Sequence, residues 1–212
     1  MSPTHTSHNR NRVGRAELEL KRVRVAVPAH WPGRFCPPQA ARNVLVDASD
    51  TAKISDFGLS RGIRQHLTQN PALASGQASS KDYYCMADSS RPLPIKWLAP
   101  EVLALDKKRF TEASDVWAFG ILMIEVYTDG QTPYSDKQCR HPRTKQPWDL
   151  DGVRHEVKNG FVHPRPSKCP GPLYDGVVSK CLSFEVGRRP KFMTIVIKMK
   201  ELADTWKWSS DM

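Results

Sequence analysis

Residues 40–58 read AARNVLVDASDTAKISDFG, and this stretch decides the fold. Two short apolar runs, 44–46 and 52–54, flank a polar segment made of Asp, Ala and Ser. This pattern predicts a short β-hairpin with a polar turn. Asn43 stands directly before the hairpin, and Asp56 follows 13 residues later.

The sequence after the hairpin is dominated by helical patterns. Glu112–Tyr127 has apolar residues almost all round the predicted helix, which is typical of a helix buried inside a domain. Ser114 is the predicted N-cap, and Asp115 favours the positive end of the helix dipole. Three amphipathic helices are predicted further on, over residues 149–159, 173–184 and 191–205.

Other segments lack any sustained apolar period. Residues 1–39 are interrupted by several prolines and are predicted to be a disordered segment. Residues 68–80 are uncharged and rich in small side chains, whereas residues 137–148 are basic with two prolines, and both are predicted loop insertions. Residues 206–212 are assigned to a tail.

The composition excludes several classes of protein. With 39% hydrophobic and 25% charged residues, the 212-residue chain is neither fibrous nor wholly disordered. The longest apolar run, residues 116–127, contains Glu125 and is shorter than the roughly 20 residues of a membrane span. No secretory signal follows Met1, so we expect a cytoplasmic location. Five cysteines without disulfide or zinc-ligand spacing are expected to be reduced thiols.

The net charge of +10 suggests a polyanion as partner. However, residues 1–39 hold seven Lys or Arg against two Glu, so half of the excess charge lies in that segment. No basic stripe interleaved with aromatic residues is present, and a solvated charge run is the simpler interpretation. We therefore expect no nucleic-acid partner, and a salt titration of DNA binding tests the opposite view.

Four motifs occur in one order along the chain. They are Ala40-Ala41-Arg42-Asn43, Asp56-Phe57-Gly58, Ala99-Pro100-Glu101 and Ser114-Asp115-Val116-Trp117. Together they resemble the C-terminal lobe of a protein kinase, over residues 40–205. The resemblance implies a mainly α fold with a short β-hairpin and no N-terminal lobe. Residues 56–101 would be the activation segment and residues 112–205 the helical core.

The kinase subtype is indicated by other short stretches. Ala-Ala-Arg before Asn43, the residues Pro94-Ile95-Lys96-Trp97 and the pair Tyr83-Tyr84 look like tyrosine-specific kinases. They are most similar to receptor tyrosine kinases of the fibroblast growth factor receptor kind. The resemblance implies ATP and Mg²⁺ as cofactors and tyrosine-containing proteins as substrates.

The resemblance also implies the roles of individual side chains. Arg42, Asn43 and Asp56 would be catalytic residues. Asn43 and Asp56 would supply hard oxygen ligands to Mg²⁺, and together with Phe57 and Gly58 they would contact the cofactor. Taken alone, an Asn and an Asp beside a hairpin are equally well explained as turn residues.

Further positions match structural and regulatory residues of the family. Glu101 and Arg189 resemble a buried ion pair that ties the end of the activation segment to the last helices. Asp115 resembles an anchor that accepts backbone hydrogen bonds from the catalytic loop. Tyr83 and Tyr84 resemble phosphorylation sites.

The chain departs from the family at the catalytic loop. The family has His-Arg-Asp-Leu where this chain has Cys36, Pro37, Pro38 and Gln39. Pro38 stands at the position of the catalytic Asp, and its side chain cannot accept a proton. The chain also contains no Gly-rich loop and no Val-Ala-Ile-Lys strand, so ATP binding is expected to be weak.

The origin of residues 1–39 is a separate question. Residues 35–39 can be encoded by a pyrimidine-rich run ending in CAG, which is the form of an intron's 3′ end. We therefore hypothesise that residues 1–39 are translated intron and that an authentic exon opens at Ala40.

Without the helix that precedes the catalytic loop, Trp117, Ile121 and Ile124 are expected to form an exposed apolar patch.

Two functions remain open. The first is a protein tyrosine kinase domain, ATP- and Mg²⁺-dependent, that is truncated and inactive in this chain. The second is a pseudokinase-like interaction module that offers Tyr83 and Tyr84 to an active kinase partner. No membrane span is predicted in this chain, although the resemblance allows a parent protein on the cytoplasmic side of the plasma membrane.

Overall fold

The structure is a computed structural model of the chain. It describes residues 24–25, 34–35, 40–49, 51–55, 61–62, 84–85, 93–105, 109–135, 139–141 and 144–205. The predictions for residues 68–80 and 206–212, and for most of residues 1–39, lie outside the described residues. Within the described part, no helix is both long and apolar enough to cross a membrane.

The helices follow one another from residue 100 onward. They are α1 (Pro100–Ala104), α2 (Glu112–Tyr127), α3 (Leu150–Lys158), α4 and α5 (Phe192–Thr205). Helix α4 has three parts, which are α-helical Gly171–Leu173, π-helical Tyr174–Val178 and α-helical Ser179–Cys181. Short 3₁₀ turns occupy Ala41–Asn43, Ile95–Trp97 and Val186–Arg188. The predicted helix 173–184 is thus shifted towards the N-terminus, because Pro172 suits a first helical turn.

Helix α2 begins with a reciprocal cap. Thr111 is its N-cap, because its hydroxyl accepts a hydrogen bond from the backbone N–H of Ser114 at 3.2 Å. The hydroxyl of Ser114 accepts in return from the backbone N–H of Thr111 at 2.9 Å. The prediction of Ser114 as N-cap was therefore wrong. The two reciprocal hydrogen bonds between Thr111 and Ser114 satisfy backbone N–H groups at the helix start, and they make Thr111 rather than Ser114 the N-cap.

Helix α2 is the axis of the core, as its apolar residues predicted. Trp117, Ile121 and Ile124 are no more than 1% exposed. The expectation of an exposed apolar patch at these residues was therefore wrong. The turns Ala41–Asn43 and Ile95–Trp97 and the helix α4 pack around α2 and enclose its side chains.

The strands of the described part are short and form three small sheets. They are β1 (Arg24–Val25), β2 (Arg34–Phe35), β3 (Val44–Val46), β4 (Thr51–Ile54), β5 (Arg61–Gly62), β6 (Tyr84–Cys85) and β7 (Arg109–Phe110). Strands β3 and β4 form the predicted antiparallel hairpin, and β1 lies parallel to β4 on its other side. Antiparallel pairs join β2 to β5 and β6 to β7. Strands β1 and β2 lie in the segment where the sequence predicted no regular structure.

The side chains of three of the five cysteines, Cys139, Cys169 and Cys181, are described by the structure. All three are buried free thiols, as the sequence predicted for them. Burial raises the pKa of Cys169 to about 11 and that of Cys181 to about 12, because the thiolate loses its hydration. These thiols are therefore uncharged at neutral pH and act as small apolar core residues.

Gly120 sets how closely α2 approaches α4. A Cβ atom added at Gly120 would lie 2.7 Å from Cδ2 of Leu182 and 3.1 Å from Cβ of Cys181. Leu182 is fully buried, so its side chain has little room to move away. The absence of a side chain at Gly120 therefore allows the close contact between these two helices.

Replacing Gly120 by Ala should destabilise the protein. The helical preference of Ala over Gly favours the variant by about 1 kcal/mol, but the clash with Leu182 costs about 1 to 3 kcal/mol. Gly176→Ala is the matched control, because the added Cβ there meets no atom closer than 3.7 Å. Urea denaturation should show a lower free energy of unfolding for Gly120→Ala only. An increase for both variants would contradict the packing argument.

Candidate functional site

The segment that contains Asn43 is fixed against helix α2. Residues Ala41–Asn43 form a 3₁₀ turn, closed by a hydrogen bond from the N–H of Asn43 to the carbonyl of Ala40 at 2.9 Å. Ala40 is fully buried, so only a small side chain fits there. The N–H of Ala41 donates to Oε2 of Glu125 at 2.9 Å. This hydrogen bond joins the turn to the core helix.

Glu125 is the central polar residue of the site, and the sequence analysis did not identify it. Its Oε2 atom also accepts a hydrogen bond from the indole Nε1 of Trp97 at 2.7 Å. The residue is 5% exposed, and this burial raises the pKa of its carboxyl group, while the hydrogen bonds from Trp97 and Ala41 and the charge of Arg42 act in the opposite direction. One buried oxygen therefore receives donors from two separate segments.

Arg42 completes this cluster. Its guanidinium lies over the ring of Trp97, 5.1 Å from the ring centroid, in a cation–π contact. The indole thus contacts Arg42 through its face and Glu125 through its N–H edge. The three segments that contain Arg42, Trp97 and Glu125 are thereby held in one arrangement.

Asn43 and Asp56 are the residues for which the sequence predicted metal binding. The carbonyl of Asn43 accepts hydrogen bonds from the N–H and the hydroxyl of Ser55, at 2.7 and 2.8 Å. The hairpin therefore closes between Asn43 and Ser55, and Asp56 is the next residue in the chain. Asp56, Phe57 and Gly58 themselves lie outside the described residues.

The donor set fits a magnesium ion. An Asn amide oxygen and an Asp carboxylate are hard oxygen donors of the kind that Mg²⁺ prefers, and Asn43 is hydrogen-bonded to Ser55, the residue before Asp56 in the chain. In the described part of the chain, His, Cys, Asp and Glu form no cluster of three or more that could hold a metal by themselves. An Mg²⁺ ion at this position would therefore depend on Asn43, on Asp56 and on oxygen atoms of its nucleotide.

Glu101 and Arg189 form a bidentate ion pair. Nη1 and Nη2 of Arg189 donate to the two carboxylate oxygens of Glu101 at 2.7 and 2.8 Å. The side chain of Arg189 has no exposed surface, whereas that of Glu101 is 27% exposed. The pair joins α1 to the residues that precede α5, which lie 88 positions later in the chain.

The remaining donors and the face of Arg189 are also used. Nη1 donates to the carbonyl of Ala113 at 2.9 Å, and Nε donates to the carbonyl of Ser183 at 2.9 Å. The guanidinium lies 5.1 Å from the ring centroid of Trp117. A buried guanidinium is tolerated when it has such a complete set of partners.

The other predicted residues are placed as follows. Asp115 is buried in the first turn of α2. The backbone N–H of Ala41 donates to Glu125 of α2, and the anchoring role of Asp115 stays a prediction. Tyr84 lies in β6 opposite Phe110 of β7, and Tyr83 and Pro38 lie outside the described residues.

Truncating Glu125 should be costly, because two buried donors lose their acceptor. An unsatisfied buried polar group costs about 1 to 3 kcal/mol, so Glu125→Ala should lower the free energy of unfolding by about 2 to 5 kcal/mol. Glu125→Gln should cost much less, because one amide oxygen can accept from both Ala41 and Trp97. Urea denaturation of both variants tests this difference, and an equal loss would contradict it.

The original chain and the Glu125→Gln variant should differ in how their stability depends on pH. Burial raises the pKa of Glu125 above its ordinary value of 4.5, so ionisation is less favourable in the folded than in the unfolded chain. Its contribution to stability is therefore present below 4.5 and is lost as the pH rises through the folded pKa. The free energy of unfolding of Glu125→Gln, relative to the original chain, should increase between about pH 4 and about pH 7. A decrease would mean that the pKa is lowered.

Neutralising Glu101 should destabilise the fold, because it leaves a buried guanidinium without counter-charge. We expect Glu101→Gln to lower the free energy of unfolding by about 3 kcal/mol. Glu112→Gln is the matched control, since Glu112 pairs at 3.2 Å with Lys191, whose side chain is 80% exposed. That variant should cost less than about 1 kcal/mol. If thermal or urea denaturation shows the same loss of stability for both variants, the buried ion pair contributes no more to the free energy of unfolding than the exposed one.

Comparison with known proteins identifies the family of the chain. The family model described as protein tyrosine and serine/threonine kinase matches residues 39–199. The megakaryocyte-associated tyrosine-protein kinase of Rattus norvegicus is 37% identical over 161 residues, which cover 76% of this chain and 27% of that protein. Its counterpart in Mus musculus is 36% identical over 160 residues, or 76% of this chain and 25% of that protein. The chain thus spans about a quarter of these relatives, and it belongs to the protein tyrosine and serine/threonine kinase family, with a domain of the tyrosine kinase type.

Proposed function

We propose that this chain is the activation-segment and helical part of a protein tyrosine kinase domain, and that the 212 residues do not transfer phosphate by themselves. The observation that carries the first half is the cluster of Arg42, Trp97 and Glu125, which holds the turn before Asn43 against the core helix. The second half rests on Pro38, which occupies the position of the general base.

Phosphoryl transfer depends mainly on positioning and on neutralising the charge of the phosphates. An Mg²⁺ ion bound with ATP would supply that neutralisation. The chain's own contribution is to hold Asn43 in a fixed turn and to keep Asp56 next to a closed hairpin. Both tasks are performed by hydrogen bonds of the described residues, from Ser55 to Asn43 and from Ala41 to Glu125.

The acceptor hydroxyl must also be oriented and must lose its proton. A positioned general base contributes about 10² to 10⁴ to the rate. The pyrrolidine ring of Pro38 has no atom that can accept this proton or a hydrogen bond. Even with nucleotide and metal in place, this chain is therefore expected to lack an efficient route for tyrosine phosphorylation.

The finer assignment to receptor kinases of the fibroblast growth factor receptor kind is part of this proposal. It is supported by Pro94-Ile95-Lys96-Trp97, of which Trp97 contacts both Arg42 and Glu125. The protein substrates of the domain are likewise proposed from the family. They would be proteins that contain tyrosine.

A second candidate is a non-catalytic interaction module. It is favoured by the antiparallel pair of β6 with β7, which places the backbone of Tyr84 beside Phe110, itself only 2% exposed. The backbone at Tyr84 is thereby paired with a strand that contributes to the core. An active tyrosine kinase would then phosphorylate Tyr84, or its neighbour Tyr83, for recognition by other proteins.

The proposed function predicts an absence of turnover. The purified chain with Mg²⁺ and labelled ATP should incorporate no more phosphate into a tyrosine peptide than its Asp56→Ala variant. Pro38→Asp alone should not restore activity, because the chain contains no Gly-rich loop or Val-Ala-Ile-Lys lysine. Turnover that Asp56→Ala abolishes would refute the proposal of inactivity.

The interaction module makes a different prediction in the same experiment. When an active tyrosine kinase is added, mass spectrometry should find phosphate on Tyr83 or Tyr84, and Tyr83→Phe/Tyr84→Phe should remove it. Phosphate confined to other tyrosines of the chain would count against the second candidate and would leave the first unaffected.

A further inference from the structure

Asn159 and Gly160 end helix α3, and they are the only Asn-Gly pair in the sequence. Asn159 is the C-cap of the helix, with φ −94° and ψ 14°, and Gly160 follows in the left-handed region with φ +94°. The N–H of Gly160 donates to the carbonyl of Val157 at 3.2 Å, and the N–H of Phe161 donates to the carbonyl of Glu156 at 2.9 Å. These two hydrogen bonds form a Schellman motif, which closes the helix.

The Asn-Gly pair is chemically vulnerable. The backbone nitrogen after an asparagine can attack the side-chain amide, and glycine favours this attack because it has no Cβ to shield its nitrogen. Asn159 and Gly160 are both exposed. A Cβ atom added at Gly160 would meet no atom within 4 Å, so the space around this peptide bond is open. By contrast, Asn43 precedes the β-branched Val44, whose side chain crowds the attacking nitrogen.

The folded chain holds this pair in an unreactive form. The nitrogen of Gly160 carries its proton in the hydrogen bond to Val157, whereas it has to lose that proton to attack a carbonyl carbon. The side-chain nitrogen of Asn159 lies 3.1 Å from Nε2 of His155, one turn earlier in α3. Because an amide nitrogen can only donate, this hydrogen bond holds the amide beside the helix. The reaction therefore requires the Schellman motif to open.

Phe161 resists this opening. Its ring packs edge-on against Trp148 with centroids 4.8 Å apart, and it lies 6.2 Å from the buried ring of Tyr134. Phe161 is nevertheless only partly buried, and the two residues before it are exposed. Opening of such a helix end breaks few contacts and is therefore more frequent than unfolding of the whole domain.

We propose that Asn159 is a site of spontaneous deamidation, and that the Schellman motif at the end of α3 controls its rate. When the motif opens, the backbone nitrogen of Gly160 bonds to Cγ of Asn159, and the bond from Cγ to Nδ2 breaks. Nδ2 leaves as ammonia with the proton of the Gly160 N–H, and a succinimide remains. Water then opens this ring at either carbonyl carbon, which gives aspartate or isoaspartate. The reaction consumes only water and is independent of the proposed function.

The products change the end of α3. A carboxylate replaces a neutral amide at the negative end of the helix dipole, which is unfavourable. Isoaspartate also adds one methylene to the main chain before Gly160, so Phe161 is displaced relative to Glu156 and Trp148. We therefore expect the isoaspartate form, separated by ion exchange, to unfold at a lower temperature than the original chain.

The test incubates the full chain at mildly alkaline pH, both folded and unfolded in guanidinium chloride. Mass spectrometry follows the peptide that contains Asn159, which gains one mass unit, and a protein isoaspartate methyltransferase labels the isoaspartate. We expect the folded chain to react about threefold to thirtyfold more slowly than the unfolded chain, as for the opening of a helix end. The peptide that contains Asn43 is the internal control and should react far more slowly in both states.

Two variants test the roles of the side chains. Asn159→Gln should remove the modification, because a glutamine has to close a larger and much slower ring. His155→Phe removes the acceptor of the Asn159 amide and keeps a similar helix propensity, so the folded variant should react about twofold to tenfold faster. In guanidinium chloride the same variant should react at the original rate, which separates positioning by His155 from an effect of the local sequence.

Several results would overturn the proposal. Equal rates in the folded and unfolded chains would show that the Schellman motif gives no protection. An unmodified Asn159 in the folded chain, after a time that suffices for thirty times the reaction in the unfolded chain, would show that the motif does not open. A slower reaction of folded His155→Phe would exclude His155 as the group that holds the amide. Circular dichroism before incubation verifies that each variant is folded, so that a faster reaction is not caused by unfolding.

Discussion

The fold depends on how one buried cation is satisfied. Arg189 has no access to water, so every partner of its guanidinium must come from the protein. Those partners are Glu101 of α1, Ala113 at the start of α2 and Ser183, two residues after the end of α4. None of these elements can shift without leaving a charge or a carbonyl unpaired. Arg189 therefore couples α1 to the helical core.

Glu125 does the same for the segment that contains the candidate catalytic residues. Its Oε2 atom accepts one hydrogen bond from the backbone N–H of Ala41, in the turn that contains Asn43, and another from the indole N–H of Trp97. The acidic group lies in the low-dielectric centre of the molecule, where hydrogen bonds to a charge are strong and an unpaired charge is costly. The two carboxylates, Glu101 and Glu125, thus each join separate segments of the chain to the helical core.

Much of this arrangement could be predicted, and the limits have physical causes. The β-hairpin and the bounds of α2 follow from local apolar patterns, and the pairing of Glu101 with Arg189 was expected from the family motifs.

Glu125 was missed because periodicity describes which side chains are apolar and not which polar ones are paired. The available signal was an acidic residue within an otherwise apolar helix, which requires a buried partner. Thr111 was missed because Thr and Ser can both cap, and only the reciprocal hydrogen bonds distinguish them. The β-bridge between Arg140 and Pro147, within the predicted loop insertion 137–148, was missed because it depends on contacts such as that of Trp148 with Phe161, which no local pattern contains.

The contact between Gly120 and Leu182 has a consequence for how this domain can change over time. Because Gly120 has no side chain, the side chain of Leu182 occupies the space beside it. A larger side chain at one of these two positions therefore requires a smaller one at the other. A side chain gained on α2 becomes acceptable when Leu182 is shortened, for example to Ala, so the two substitutions should compensate each other in a double-mutant cycle. Among divergent relatives, the pair is expected to covary in size, and a library selected for folding should recover the small–large and large–small combinations together.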